Sequence, residues 1–389
     1  MSFTTLTLIG VVALLGPLLA LRQRWRIPVA VGELAGGMLI GSTGFGLVRA
    51  SDPTFTFLAN LGFGLTMFVA GSRIPVRDAQ LRPALLIGLA RALGVGVVAA
   101  LLGVLFAGLF HTGHAAVFGV LMASSSAVLV LPTIDSLGLG GPKVLLAIAQ
   151  VAIADIACIV ALPLVIDPAH APTATLGAVA IAAAATLFYF GLRWLNARGA
   201  LRRLHKFSEL RHFALELRVS LIVLFALGAI AIATNISIML AGFACGIAVA
   251  GVGEPRRLAR QLFALNDGFL GPLFFVWLGA SLSVRSLGAH PQLIFLGLAL
   301  GGGALLAHLT MVIFRQPVSL AMLSAAQLGV PLAAATIGQE THLLSPGEPA
   351  ALILGALVTV VGLAVASRLA AGGKLVATTP APDGSATED

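Results

Sequence analysis

Charge is scarce in this chain. Only 10% of its 389 residues are Asp, Glu, Lys or Arg, against about 25% in an ordinary soluble chain. So little charge cannot solvate a surface when 59% of the residues are hydrophobic and the mean hydropathy is +1.04. The cores of a 39.6 kDa protein could not hide that much apolar surface, so the surrounding solvent must be lipid. Cysteine is nearly absent: Cys158 and Cys245 lie inside apolar runs, which excludes a disulfide framework or zinc spacing and leaves them as small hydrophobes. The chain also lacks a phosphate loop, a nucleophile triad, an EF-hand and a metal-ligand cluster. Residues 138–143 match a phosphate loop only in composition and read as a turn. No enzyme chemistry and no cofactor is expected. Base exceeds acid by a net +8, with a pI near 10.9, yet the Lys and Arg residues sit in short loops without forming a basic face. That excludes nucleic acid as a partner. The basic cluster follows the first apolar run, the wrong order for a secretory leader. What is abundant is glycine, 45 residues, which lets membrane helices approach closely.

A helix needs about 20 apolar residues to cross a bilayer. That window gives thirteen spans near 4–21, 28–48, 54–71, 82–108, 114–132, 143–166, 173–195, 216–233, 235–252, 264–284, 290–314, 317–338 and 349–369. The run 216–252 is too long for one helix, and Asn235 marks a tight turn near its middle. Alternating the loops puts twenty Lys and Arg on one side, from Arg22, Arg24 and Arg26 through the basic loop that follows Arg193 to Arg368 and Lys374. Only Arg49 and Arg285 fall on the other, with Arg91 inside a span. The basic side is cytoplasmic by the positive-inside rule. The expected placement is a multi-pass plasma (inner) membrane protein with its N-terminus outside and its C-terminus in the cytoplasm. The Gly-, Pro- and Thr-rich tail is expected to be disordered.

Thirteen spans divide into six, one and six. The predicted fold is an all-α polytopic membrane protein: two inverted six-helix repeats joined by a linker helix, with two discontinuous helices crossing in the core. The discontinuities fall in the fifth span, MASSSAVLVLP over 122–132, and the twelfth, SAAQLGVP over 324–331. Hydroxyls beside a helix break can supply oxygen ligands and re-satisfy freed backbone groups. Ser124, Ser125 and Ser126 are therefore candidate ligands.

Asp155 is the sharpest signal. It lies near the centre of the sixth span, in LLAIAQVAIADIAC over 145–158. A carboxylate at that depth costs at least about 2.5–3.5 kcal/mol on insertion scales. A carboxyl there can hold either a proton or a metal cation; the alternative use is structural, capping a broken helix. Arg91 needs an anionic or carbonyl partner, and His308 lies inside the eleventh span. Glu33, one turn into the second span, is placed to snorkel. Asn266 and Asp267 begin the tenth span and are placed to cap it.

Several stretches resemble the sodium/proton exchanger family, in particular the monovalent cation:proton antiporter-2 group with its Kef-type members. They are RIPVAVGELAGGMLIG over 26–41, residues 62–71, DGFLGPLFFVWLGASL over 267–282, and AIAD over 152–155, where the family keeps its ion-binding aspartate. The likeness covers roughly residues 5–370. It implies dimerisation-side helices at 1–72 and 216–285 and core helices at 73–172 and 286–370. A linker helix and basic loop would fill 173–215, and a disordered tail 371–389. It further implies a homodimer that exchanges Na⁺ or K⁺ for H⁺ by elevator-type alternating access, with Asp155 carrying either ion. The rivals are a gated cation channel or efflux pathway and a small organic anion symporter. The chain departs from the family pattern at Ala154, where a polar residue is usual, and at His308, where Lys is common. Gln327 and its neighbours replace an Arg-Gly-Glu-like run. With the first carboxylate and the Lys both missing, neither charge is stranded. Kef-type members often carry a soluble nucleotide-binding domain after the membrane part, and none is expected in this chain.

Overall fold

The computed structural model describes residues 1–21, 29–74, 76–77, 81–200, 213–253, 256–282, 291–340, 343–345 and 347–371. The basic cluster at 22–26, most of the basic loop, Arg285, Lys374 and the tail lie outside the described residues.

The helices are α1 Phe3–Ala13, α2 Leu15–Ala20, α3 Val29–Ile40, α4 Pro53–Ser72, α5 Leu81–Leu109, α6 Ala115–Ala123, α7 Ala127–Ser136, α8 Pro142–Ile166 and α9 Ala171–Ala197. They continue as α10 Leu215–Ala233, α11 Ile238–Val252, α12 Arg256–Leu265, α13 Gly271–Ser281, α14 Pro291–Leu309, α15 Val318–Ser324, α16 Gly329–Glu340 and α17 Glu348–Ala371. A π turn, Asn266–Leu270, joins α12 to α13 without interruption, and a 3₁₀ turn, Thr310–Phe314, ends α14. Among the described residues eleven segments are long and apolar enough to cross a membrane, and two shorter apolar helices, α3 and α11, stand among them. The protein is an all-helical, multi-pass membrane protein.

Local chemistry sets where these helices start and stop. Asp52 accepts a hydrogen bond from the Phe55 amide at 3.0 Å and Pro53 opens α4, which satisfies one orphan donor and wastes none. The turn expected at Asn235 is there: Asn235 has φ +56° between α10 and α11, and Ser237 then caps α11. The fifth and twelfth spans are each broken, at 124–126 and at 325–328. The tenth differs from expectation. Asn266 and Asp267 do not cap a helix; they sit in the middle of one, in the π turn. The ten residues of α12 are too charged to register in an apolar window, which hid the true start at Arg256.

Who packs on whom divides the helices into two sets. In one, α4 packs on α11 and α13, and α3 on α13. Glycine makes the last approach possible: a Cβ on Gly37 would run into the Val276 carbonyl, and one on Gly279 into that of Leu34. In the other set, α5 packs on α6 and α8, α14 on α17, and α16 on α17 and α8. Between the sets, α4 touches α7 and α11 touches α8. The outer face of α5 is apolar and exposed at Leu86, Leu93, Val97, Leu101 and Leu105, and the inner face buries Ala84, Val95 and Ala99. Lipid and protein are thus read by opposite faces of one helix.

Candidate ion-binding site

Two helix breaks meet in the interior. Ser125 Oγ, in the first, donates to the Ser324 carbonyl at the end of α15, 2.7 Å away. The same Oγ lies 3.4 Å from His308 Nε2 on α14. His308 Nδ1 is 2.9 Å from the Ala304 carbonyl, an acceptor only, so the proton is assigned to Nδ1. Nε2 of the neutral ring is then an acceptor. The Ser125 hydrogen is committed to Ser324, so this acceptor has a weak neighbour. Ser125, Ser324 and His308 are all buried.

Asp155 approaches from α8. It is 1% exposed, and its Oδ2 accepts from the Ala127 amide, the first residue of α7, at 3.0 Å. The partial positive charge of a helix N-terminus favours the carboxylate there. The carboxyl therefore caps the broken helix, which is the structural use open to it from the sequence. It is held by the residue that directly follows the serine run.

The remaining sequence candidates divide. Ser124 Oγ donates to Leu121 O at 2.8 Å within its own turn. Ser126 Oγ is buried and has no hydrogen-bond partner, so an oxygen ligand is free beside the Asp155–Ala127 contact. Ala154 is buried and contributes no polar atom. The Gln327 amide donates to Thr359 Oγ1 at 3.0 Å, while its side-chain Nε2 is buried without a partner. Arg91 stands apart: Nη2 donates to the Phe314 carbonyl at 3.3 Å, and Nε and Nη1 have no partner. The carbonyl partner expected for it is thus present, far along the chain from the serine break.

Ser324 and Thr359 were missed as site residues. Thr359 is the only polar side chain between residues 350 and 366, and that isolation was the available signal. Glu33 was misplaced. It does not snorkel to an interface but is buried, 4% exposed, and lines a cavity of about 910 Å³ bounded by α3, α4, α7 and the π turn. The cavity reaches Val128, next to the residue that holds Asp155.

Residues 10–370 match the model of the sodium/hydrogen exchanger transmembrane family. The chain belongs to that family. Among similar proteins is the Bacillus subtilis (strain 168) protein named "Putative Na(+)/H(+) antiporter YjbQ", 27% identical over 382 residues and covering 92% of this chain. The chain spans 61% of that relative's length. Among solved structures, the sodium proton antiporter MjNhaP1 from Methanocaldococcus jannaschii, at pH 8, superposes with a TM-score of 0.62. It is 16% identical and covers 95% of this chain and 98% of its own. An exchanger-family fold therefore carries the helix breaks and Asp155.

Proposed function

We propose that the protein exchanges a monovalent cation, Na⁺ or K⁺, for protons, with Asp155 binding each in turn. The observation that carries this reading is one buried carboxylate held by a helix N-terminus beside a second helix break. Half-helix ends bring amides and carbonyls to one point in the membrane, the usual construction of a midplane ion site. Family membership and the names of the two relatives support it. A dehydrated monovalent cation would take oxygen from Asp155, Ser126 and exposed carbonyls of the break, with Ser125 and Ser124 holding the backbone open. Gln327 and His308 would line the opposite break. Arg91 would brace α5 against the 3₁₀ turn rather than touch the ion.

In the same reading, the set holding α5–α8 and α14–α17 is the moving core and the set holding α1–α4 and α10–α13 the dimerisation side, related as inverted repeats through α9. The basic loops face the cytoplasm. Sliding of the core past its partner would expose Asp155 to one side and then the other, in the elevator manner. The test is a proton-flux assay in inverted vesicles with pulses of Na⁺, K⁺ and Li⁺. Exchange requires that a cation pulse dissipate an imposed pH gradient. Cation current that persists without a pH gradient, and without moving protons, would instead mark a channel.

A further inference from the structure

The cavity beside Glu33 contains polar groups that the exchange reading does not use. Among the described residues Glu33 has no hydrogen-bond or ion-pair partner, yet it is 96% removed from solvent and lines the cavity wall. Asp267 lines the same cavity. Asp267 is held in place by a relay. Thr66 Oγ1 lies 2.7 Å from the Gly62 carbonyl and 2.9 Å from Asn266 Oδ1, two acceptors that share its one hydrogen, and Asn266 Nδ2 donates to Asp267 Oδ1 at 2.8 Å. Both Thr66 and Asn266 are buried. Such a chain of partners is what orients a metal-ligating carboxylate. The backbone is specialised at the same place: Asn266 and Asp267 open the π turn, a distortion that recurs at functional sites. Among the described residues one cation also lines the cavity, but the Arg73 guanidinium lies over the Phe263 ring at 4.5 Å and 4.0 Å from Asp135 Oδ2, so its charge is engaged elsewhere.

We propose that Glu33 and Asp267 form a second cation site, distinct from Asp155, that takes a hydrated divalent ion of the Mg²⁺ class. Charge separates the two sites. One carboxylate at Asp155 balances a monovalent ion, whereas two carboxylates on the wall of one cavity balance a divalent one. Space separates them too. Mg²⁺ gives up its water reluctantly and is commonly held through one or two carboxylates with several waters retained. At about 30 Å³ per water, a cavity of about 910 Å³ accommodates that shell. The ion would bridge α3 and the π turn and face α7, in the mouth of the cavity that reaches Val128. Binding there does not depend on exchange, so this inference and the functional reading can fail separately.

The probe is Mn²⁺, followed by the loss of its free electron paramagnetic resonance signal on the purified full chain in lipid nanodiscs. The wild type should bind one Mn²⁺ per chain, displaced by Mg²⁺ and not by Na⁺ at equal charge concentration. Glu33→Gln and Asp267→Asn should each weaken it at least tenfold, Asn266→Ala should weaken it less, and Asp155→Asn should leave it unchanged. Where Glu33→Gln does not give folded protein, Asp267→Asn decides, since Asp267 is exposed and Asn keeps an oxygen that accepts from Asn266 Nδ2. Unaltered affinity in Asp267→Asn, a loss in Asp155→Asn, or no saturable binding by the wild type would each overturn the proposal.

Discussion

At Asp155 a single oxygen is spoken for, by the Ala127 amide, and a single negative charge is available to an ion. Asp155→Asn keeps the shape and can still accept from that amide, but removes the charge. Cation–proton exchange should fall to background while the protein stays folded; wild-type proton flux in the Asn variant would refute the mechanism. One carboxylate also carries one proton or one monovalent cation, so exchange should be electroneutral. Na⁺-driven proton flux in liposomes should then ignore an imposed potassium–valinomycin potential, because any net charge moved would feel about 2.3 kcal/mol per 100 mV. A flux that shifted with voltage would demand a second carrier. His308, with its acceptor Nε2 beside Ser125, is the group to substitute next. Much of this site was legible because a carboxylate and three serines are conspicuous in apolar runs. Thr359 and Ser324 were not, because a lone hydroxyl in a membrane helix ordinarily bonds the carbonyl a turn back. Both do so here, and only the tertiary structure adds the Gln327 amide and Ser125.

The helix breaks hold one another at the level of elements. Ser125→Ala removes the donor to the Ser324 carbonyl and leaves a buried acceptor unpaired, at a cost of about 1–3 kcal/mol. The expected result is a lower thermal unfolding midpoint and slower exchange, with Ser125→Thr restoring part of both. An unchanged midpoint would mean that the two breaks do not depend on each other. The breaks themselves could be read from Ser, Gly and Pro in sequence. The π turn could not, since it needs the register of a helix whose charged first half, α12, gave no apolar signal. It matters because a π turn is an α-helix holding one residue too many. Deleting Gly268, where an added Cβ would meet no neighbouring atom within 4 Å, should restore regular α pitch and swing Asp267 away from Asn266 Nδ2. Mn²⁺ binding should drop as in Asp267→Asn; retained binding would show that the turn does not position the carboxylate. Glu33 escaped the sequence reading for a related reason: distance along a helix gives depth in the bilayer, but not whether a cavity opens beside it.

For the whole molecule, glycines let α3 approach α13 and α4 approach α11 closely, and this set is the side through which two copies are proposed to pair. Cross-linking in native membranes and mass measurement in mild detergent should both find a dimer; a monomer in both would count against it. The lengths of the helices carry a different consequence. One short helix is inside: α11 has 15 residues, most of them buried. At the lipid boundary stands α5, with 29 residues, roughly 44 Å at 1.5 Å per residue, and its exposed apolar side chains run from Leu85 to Leu109. The hydrocarbon layer is only about 30 Å thick. This hydrophobic mismatch must be relieved by leaning of the helix or thickening of the surrounding lipid, at a cost that changes with acyl-chain length. Since α5 packs directly on α8, which bears Asp155, bilayer thickness should act on exchange. Rates in phosphatidylcholine vesicles of 14-, 18- and 22-carbon chains should rise with length. A flat profile would mean that α5 takes up its excess length without passing strain to α8.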